Sequence, residues 1–324
     1  MVSKSSSHTV CVLGGTGFVG REIVGELVRH GYSVRVPTRD RRHARALQVL
    51  PGVEVVSADV HNEHALLALF SGTSAVVNLI GILNERGRDG AGFRKVHVEL
   101  VEKIARACQE ARVPHLLHMS ALKANAETGP SHYLRTKGAG ETAIRNLAGD
   151  ELHYTIFQPS VIFGPNDTFI NRFASILRRT PVLPLAKPNS QFAPVYVVDV
   201  ARAVCRAVDN HHAYDRSYQL YGPDEFTLKE IVSGIAEELQ LRRRVIGLSE
   251  PLSRIQAWCF DYLIPGKIFT LDNYRSMAVA SVGNEDGLLA LGVSRTPMSA
   301  IVPHYLSEGT RQRALSDLRT LSGR

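Results

Sequence analysis

The stretch Val10–Gly20, VCVLGGTGFVG, decides how the rest of the chain is read. Val10 to Leu13 is an apolar run of the length of a buried strand. Gly14, Gly15, Gly17 and Gly20 follow, and Arg21 to His30 is an amphipathic run with helical spacing. Strand, glycine turn and helix N-terminus in that order make a place where a pyrophosphate can lie on unpaired backbone N–H groups. Gly15, Gly17 and Gly20 fit G-x-G-x-x-G, while Gly14, Gly17 and Gly20 fit the related G-x-x-G-x-x-G. A side chain at Gly15 or Gly17 would hold phosphates away, and one at Gly20 would push the helix off the strand. The pattern assigns nucleotide binding to Gly14, Thr16, Gly17, Phe18, Val19 and Gly20. The plainer reading is a glycine-rich turn with no ligand.

Working outward, Ser33 to Val36 reads as a second strand, ended by Pro37-Thr38-Arg39. Many dinucleotide folds carry an acid at this tip for the adenosine ribose hydroxyls. Here Thr38 and Arg39 occupy it, with Asp40 next and Arg41, Arg42 and Arg45 behind. An acid would repel a 2′-phosphate, whereas Arg39 can grip one bidentately, so NADP(H) is predicted over NAD(H). A solvated basic helix start is the alternative. Val53 to Ser57 is a third strand closed by Asp59-Val60. Asp59 either hydrogen-bonds an adenine amino group or caps the helix beginning near His61. His61 and His64 have no third ligand in sight, so no metal is predicted. Ser74 to Ile80 is the fourth strand, and its end, Leu79-Ile80-Gly81, should face the cofactor of a doubly wound sheet.

Asn84 to Phe93 is polar and glycine-rich and reads as a mobile loop beside the site. A long helix, Phe93 to Arg112, and a fifth strand, Pro114 to Met119, follow, with Ser120 at the strand tip. Tyr133 and Lys137, in HYLRTKGAGE, then lie four apart on a predicted helix, which puts phenol and ammonium on one face. A nearby ammonium favours the phenolate, so Tyr133 can exchange a proton with a carbonyl or alcohol oxygen. Lys137 can also hydrogen-bond a nicotinamide ribose, and Ser120 can hold the same substrate oxygen. On its own the pair would be read as a solvated helix face. Leu152 to Gln158 is a sixth strand, running into Pro159. Beyond it the strand–helix alternation becomes irregular. The predicted organisation is a polar tail, 1–8; an α/β domain, 9–210, with a doubly wound parallel sheet and insertions near 166–195; and a small carboxy-terminal lobe with a basic tail, 211–324.

Composition narrows the classes. The 324 residues are 44% hydrophobic and 21% charged, ordinary for a globular protein, and the formal charge is +7. Basic residues are scattered, with small clusters at Arg39–Arg45 and Arg242–Arg244, and nothing interleaves them with aromatics or zinc-finger spacing, so no nucleic acid is predicted. Cys11, Cys108, Cys205 and Cys259 lie far apart in mostly apolar segments and read as buried thiols of a reducing compartment. The start, MVSKSSSH, has no apolar signal region, and no uncharged run approaches the roughly 20 residues of a membrane span. The predicted location is cytoplasmic, with peripheral contact at the inner face of a membrane as a variant.

The glycine turn, Asn78–Gly81, Ser120, Tyr133 with Lys137, Pro159 with Phe163-Gly164-Pro165, and Val195–Ala201 together resemble the extended and atypical short-chain dehydrogenase/reductase superfamily. Asn78–Leu83, FRKVHVE at 93–99, His118–Ala121, Tyr133–Glu141, IPGKIFTLDN, LGV and PHYL narrow the likeness to the NADPH-binding accessory subunit family of respiratory complex I and its bacterial relatives. The resemblance implies a Rossmann-type sheet holding NADPH, with Val60 and Pro159 among the cofactor contacts and a small lobe over the nicotinamide. It implies a structural or regulatory role in the mitochondrial family, and a respiratory-complex or membrane-surface partner. Two positions depart from the pattern. The catalytic serine often lies beyond the strand tip, here at Ala121 or Leu122, and His97 stands where active members carry an asparagine of the proton relay. An active NADP(H)-dependent reductase, epimerase or dehydratase using Tyr133 and Lys137 remains an alternative, as does an NADPH-sensing regulator. Pro251–Phe269, with Trp258 as the chain's only tryptophan and Arg254 and Lys267 at its flanks, reads as a core helix of the small lobe or as an interfacial segment.

Overall fold

Seven parallel strands carry the fold, in the order β11-β6-β5-β4-β1-β2-β3, in a computed structural model that describes residues 8–263 and 269–306. These are β1 (Thr9–Leu13), β2 (Ser33–Thr38), β3 (Val53–Ser57), β4 (Ala75–Asn78), β5 (His115–Met119), β6 (His153–Pro159) and β11 (Arg216–Leu220). The central strands are buried almost throughout because helices cover both faces of a parallel sheet. Helix α1 (Phe18–Arg29) packs with α8 (Val197–Val208) on one face. On the other, α3 (Glu63–Phe70), α5 (Leu100–Glu110) and α6 (His132–Leu147) bury Leu66, Phe70, Leu100, Ile104 and Ile144 against Cys11, Leu13, Val76 and Leu116 of the sheet. Short α2 (Arg45–Gln48) precedes β3, and α4 (Ala91–Arg94) precedes α5. The strand order reverses between β1 and β4, whose register sets Leu13 beside Asn78. At that reversal the carboxyl ends of the strands leave a crevice for a ligand.

The predicted helix at 93–112 is observed from Ala91 to Glu110, but Lys95–Glu99 within it is a π-helical turn. The described residues divide into two compact units: one holds 8–159, Val197–Leu220 and Gly283–Ser294, the other Ser160–Tyr196, 221–263, 269–282 and 295–306. Arg216–Leu220, just beyond position 210, is β11 of the first unit, paired with β6 from Arg216↔Thr155 to Leu220↔Pro159. Helix α12 (Gly287–Ala290) also returns to the first unit, where a Cβ on Gly287 would press on the backbone of Gln219.

Among the described residues the second unit has three short strand pairs: β7 (Ile162–Phe163) with β10 (Val195–Tyr196), β8 (Val182–Leu185) with β13 (Arg244–Gly247), and β9 (Gln191–Phe192) with β12 (Phe226–Thr227). Helices α7 (Phe169–Arg179) and α9 (Leu228–Glu238) enclose its core, with Phe163, Ile170, Leu177, Ile231 and Ile235. Thr227 and Glu230 form a reciprocal capping box at the start of α9. Helices α10 (Glu250–Tyr262) and α11 (Leu271–Ser276) belong to the same unit, and the helical segment at 298–306 adds Val302 and Leu306 to its core. Part of IPGKIFTLDN, with Lys267, and the tail beyond Leu306 lie outside the described residues.

Candidate functional site

The glycine turn closes on Gly17 N–H to Gly14 O at 3.0 Å, with Gly14 at φ +80°, where only glycine is free of strain. The glycines serve different ends. A Cβ on Gly20 would overlap the Gly14 carbonyl oxygen and sit 2.6 Å from Gly15 Cα, so Gly20 lets helix and turn meet. A Cβ on Gly15 would lie 2.9 Å from Val36 of β2, so packing constrains this position as well as any ligand. Gly17 meets only the Gly14 oxygen, at 3.2 Å, and is otherwise open. Gly17 is also the N-cap of α1 and supplies no side-chain cap, so the N–H groups of Phe18, Val19 and Gly20 have no intrahelical acceptor. Thr16 sits in the turn, its carbonyl accepting from Arg21 Nε at 2.9 Å. This cradle of donors without a covering side chain fits a nucleotide pyrophosphate.

At the β2 tip Arg39 is exposed, while the Asp40 carboxylate is held below its ordinary range by Arg42, whose guanidinium donates to both oxygens at 2.8–3.0 Å. Asp40 is thus engaged locally. Arg21, which sequence reading did not single out, reaches from the glycine turn to His43 O at 3.5 Å and adds a second cation to this side. Asn62, not Asp59, caps α3, through Oδ1 and Ala65 N–H at 3.2 Å. Asp59 is exposed at the end of β3, next to Val60, and accepts from His61 N–H at 3.1 Å. Leu79 N–H donates to Leu13 O at 3.0 Å, and a Cβ on Gly14 would lie 3.3 Å from the Leu79 carbonyl carbon, so the loop Leu79-Ile80-Gly81 runs beside the glycine turn. Pro159 ends β6, its carbonyl accepting from Leu122 N–H at 2.9 Å. The segment after Gly81 is closed by Glu85, whose carboxylate accepts the N–H groups of Gly90 and Gly92 at 2.7 and 2.8 Å.

Helix α6 starts at Ser131, whose hydroxyl caps Leu134 N–H at 3.1 Å, and carries Tyr133, Lys137, Glu141 and Arg145 along one stripe. A Cβ on Gly140 would overlap His97 O, so glycine lets α6 approach the π-helical turn. The Tyr133 ring lies edge-on to Phe93 and His97, at 6.1 and 5.6 Å between centroids. The lowering of the Tyr133 phenol by Lys137 is not found: burial pushes the phenol up to about 12. The Lys137 ammonium donates to Met119 O at 2.9 Å, and burial brings Lys137 down to about 8, with the Glu141 carboxylate opposing the shift. Ser120 is buried and donates to Glu141 Oε1 at 2.5 Å; Glu141 also accepts from Gln158 and Arg145.

His97 is fully engaged. Its Nε2 accepts Ile82 N–H at 3.1 Å, and its Nδ1 lies 3.0 Å from Thr136 Oγ1, whose own hydroxyl is donated to the carbonyls of His132 and Tyr133. These partners fix a neutral ring with its proton on Nδ1. Burial, then the Lys137 and His118 charges, hold its pKa at about 2. His118, on β5, accepts from Asn78 Nδ2 at 3.1 Å, an orientation set by Asn78 Oδ1 accepting Ile80 N–H. Its Nε2 is buried without a hydrogen-bond partner among the described residues. Glu141, Thr136 and His118 were not assigned roles from sequence. Each acts through partners on other strands or turns, which residue spacing does not show. No cluster of metal-ligating side chains occurs among the described residues, His61 and His64 included.

Residues 10–220 match the NAD dependent epimerase/dehydratase family. The mitochondrial NADH dehydrogenase (ubiquinone) 1 alpha subcomplex subunit 9 of Arabidopsis thaliana is 28% identical over 94% of this chain and 76% of its own length. The subunit of that name from Rattus norvegicus is 30% identical over 91% and 79%. A ceramide reductase of Caulobacter vibrioides is 32% identical over 77% of this chain and 76% of its own. Among solved structures, Escherichia coli QOR2, an NADPH-dependent quinone oxidoreductase complexed with NADPH, superposes with a TM-score of 0.71 at 18% identity, covering 92% of this chain and 99% of its own. The last likeness bears on fold alone. Glycine cradle, strand reversal and the α6 stripe agree with the matched span, and the chain belongs to the NAD dependent epimerase/dehydratase family, within the short-chain dehydrogenase/reductase superfamily and with complex I accessory subunits among its relatives.

Proposed function

We propose that this protein holds NADP(H) as a resident nucleotide, with little or no turnover, in association with respiratory or quinone machinery. The observation that carries this reading is the Ser120 hydroxyl, buried and donated to Glu141 at 2.5 Å rather than left for a substrate oxygen. His97, with both ring nitrogens engaged, supports the same reading, because it leaves the relay position without a free group. The first-turn N–H groups from Phe18 to Gly20 would hold the pyrophosphate, Arg39 a 2′-phosphate, Asp59 and Val60 the adenine side, and Lys137 a ribose hydroxyl. Leu79, Ile80, Gly81 and Pro159 would line the nicotinamide side. A bound nicotinamide supplies a hydride; Tyr133 is the one group on this face suited to hold or deliver the accompanying proton. The relatives named above motivate the respiratory link. The proposed location is cytoplasmic, against the inner face of a membrane.

The intact Tyr133–Lys137 pair favours a second reading, a reductase of a carbonyl substrate, and the ceramide reductase relative belongs with it. One experiment separates the two. Protein loaded with NADPH is mixed with a ubiquinone analogue or a panel of carbonyl compounds while reduced-nicotinamide absorbance is followed. Retained NADPH without oxidation is the expected result. Oxidation that disappears in Tyr133→Phe, with nucleotide affinity unchanged, would establish the reductase. Failure to bind NADPH at all would overturn both.

A further inference from the structure

Helix α10 wears its apolar side outward. Ser253, Ala257 and Asp261, one stripe at four-residue spacing, are buried, and two of them are held by backbone: Lys187 N–H donates to Ser253 Oγ at 3.2 Å, and Leu271 N–H to Asp261 Oδ2 at 3.3 Å. Leu252, Ile255, Trp258, Tyr262 and Leu263 are instead between 47% and 67% exposed. An ordinary surface helix has the opposite arrangement. Packing among the described residues of the unit therefore gives no reason for five large apolar side chains on this face. Trp258 and Tyr262 stack with centroids 5.2 Å apart, forming one aromatic plate.

Beside this plate a groove of about 410 Å³ is lined by Arg254, Ile255 and Trp258 of α10 and by Leu271, Tyr274 and Arg275 of α11. Arg254 and Arg275 are exposed, and neither forms an ion pair among the described residues. The nearby Glu250 carboxylate is already neutralised by Lys187 at 2.7 Å and accepts the Tyr274 hydroxyl. The surface thus offers uncompensated guanidinium groups directly against an apolar, aromatic floor. A ligand that satisfies both has an anionic phosphodiester joined to an acyl chain. Indole and phenol rings favour the depth where those two meet, and arginine stems can lie along hydrocarbon while their heads stay at phosphate level.

We propose that the outer face of α10, with the groove it shares with α11, docks on an anionic phospholipid bilayer, Arg254 and Arg275 taking lipid phosphate while Ile255, Trp258 and their apolar neighbours enter the acyl boundary. The proposal rests on the peripheral location stated above but not on nucleotide binding or turnover. It describes a helix lying in the interface rather than one that spans, and among the described residues no helix is long and apolar enough to cross.

Trp258 is the chain's only tryptophan, so its emission reports this face alone. The full chain is mixed with phosphatidylcholine vesicles, with and without phosphatidylglycerol, and followed by flotation and by quenching with lipids brominated along the acyl chain. The proposal expects co-flotation and a blue shift that require phosphatidylglycerol, with quenching of Trp258. Ile255→Glu should abolish quenching. Arg254→Glu with Arg275→Glu should weaken partitioning by about fivefold or more per arginine. Both variants should keep the thermal midpoint and NADPH affinity of the parent, since they alter exposed side chains of a different unit. Absence of flotation with either vesicle would overturn both the docking and the peripheral location. Flotation that survives all three substitutions would overturn this site while leaving the location standing. A lipid-free blue shift that grows with protein concentration would assign the face to a second copy of the chain and overturn the proposal.

Discussion

Lys137 carries its charge where burial works against it, and two interactions oppose the loss: a hydrogen bond to the Met119 carbonyl and the charge of the Glu141 carboxylate one helical turn on. Its pKa of about 8 falls within reach of ordinary buffers. If the ammonium holds a ribose hydroxyl, NADPH affinity should fall as pH rises through about 8, by up to roughly tenfold per unit. The contribution of Lys137 to stability should move the other way. The folded value lies below the ordinary lysine value of 10.5, so between about 8 and 10.5 the unfolded chain binds more protons and unfolding free energy rises with pH. Titration of Lys137 itself therefore cannot weaken binding through unfolding. The buried Cys11, Cys108 and Cys205 thiols, raised above 9.0, lower stability toward pH 9, so the folded fraction is followed beside the titration. Nucleotide titrations at pH 7 and 9 should show the loss in the parent, a midpoint displaced to lower pH in Glu141→Gln, and no pH response in Lys137→Met. A flat profile in the parent would remove Lys137 from the nucleotide site. The Tyr133–Lys137 spacing is legible in sequence because one helix carries both. Glu141 is not, since its partners Ser120 and Gln158 lie 21 and 17 positions away, one just past the end of β5 and the other on β6.

At the scale of the element, the turn between β1 and α1 separates two uses of glycine that a motif treats alike. Gly20→Ala puts a methyl into the Gly14 carbonyl and should destabilise the fold by about 1–3 kcal/mol as well as abolish nucleotide binding. Gly17 has an unstrained φ of −74°, and its Cβ would meet only the Gly14 oxygen, at 3.2 Å, so Gly17→Ala should leave stability within about 1 kcal/mol. If the pyrophosphate lies on the turn at this N-cap, the added methyl crowds it and NADPH affinity should drop at least tenfold. Urea unfolding paired with nucleotide titration distinguishes the two; parallel losses in both variants would show that Gly17 is only structural. This turn was legible because strand, glycines and helix are contiguous. The π-helical turn at Lys95–Glu99 was not, because apolar spacing continues across it and the 93–112 segment reads as one α-helix. Nor was the place of β11: RSYQL is short, follows a helix and has only Tyr218 and Leu220 buried, so its pairing with β6 is decided by tertiary packing rather than by its own pattern. The segment of α10 reads from sequence as either a core helix or an interfacial one, since sequence does not say which stripe meets the core.

For the whole molecule, three histidines set a limit on acid stability. Burial lowers His97 to about 2, His115 to about 4 and His118 well below its ordinary value of 6.5. All three are therefore neutral in the folded protein at pH 6, while an unfolded chain takes up protons at each below 6.5. The unfolded state then binds more protons, so unfolding free energy falls as pH falls, by up to about 1.4 kcal/mol per unit for each histidine. Summed from pH 6.5 to 5, the loss is several kcal/mol, comparable with the roughly 5–15 kcal/mol that holds a typical domain together. Carboxylates whose values are lowered by partners, Asp40, Glu230 and Glu250, contribute only near and below their ordinary values of 3.8–4.5, so they do not explain a loss that begins near 6.5. The urea midpoint should accordingly decline between pH 7 and 5, with a slope near pH 5 approaching three protons. His118→Asn should reduce that slope by about one proton whatever it does to absolute stability, which separates titration from packing. A midpoint unchanged from pH 7 to 5 would mean that these rings are protonated in the fold, and the neutral assignment of His97 would fall with it.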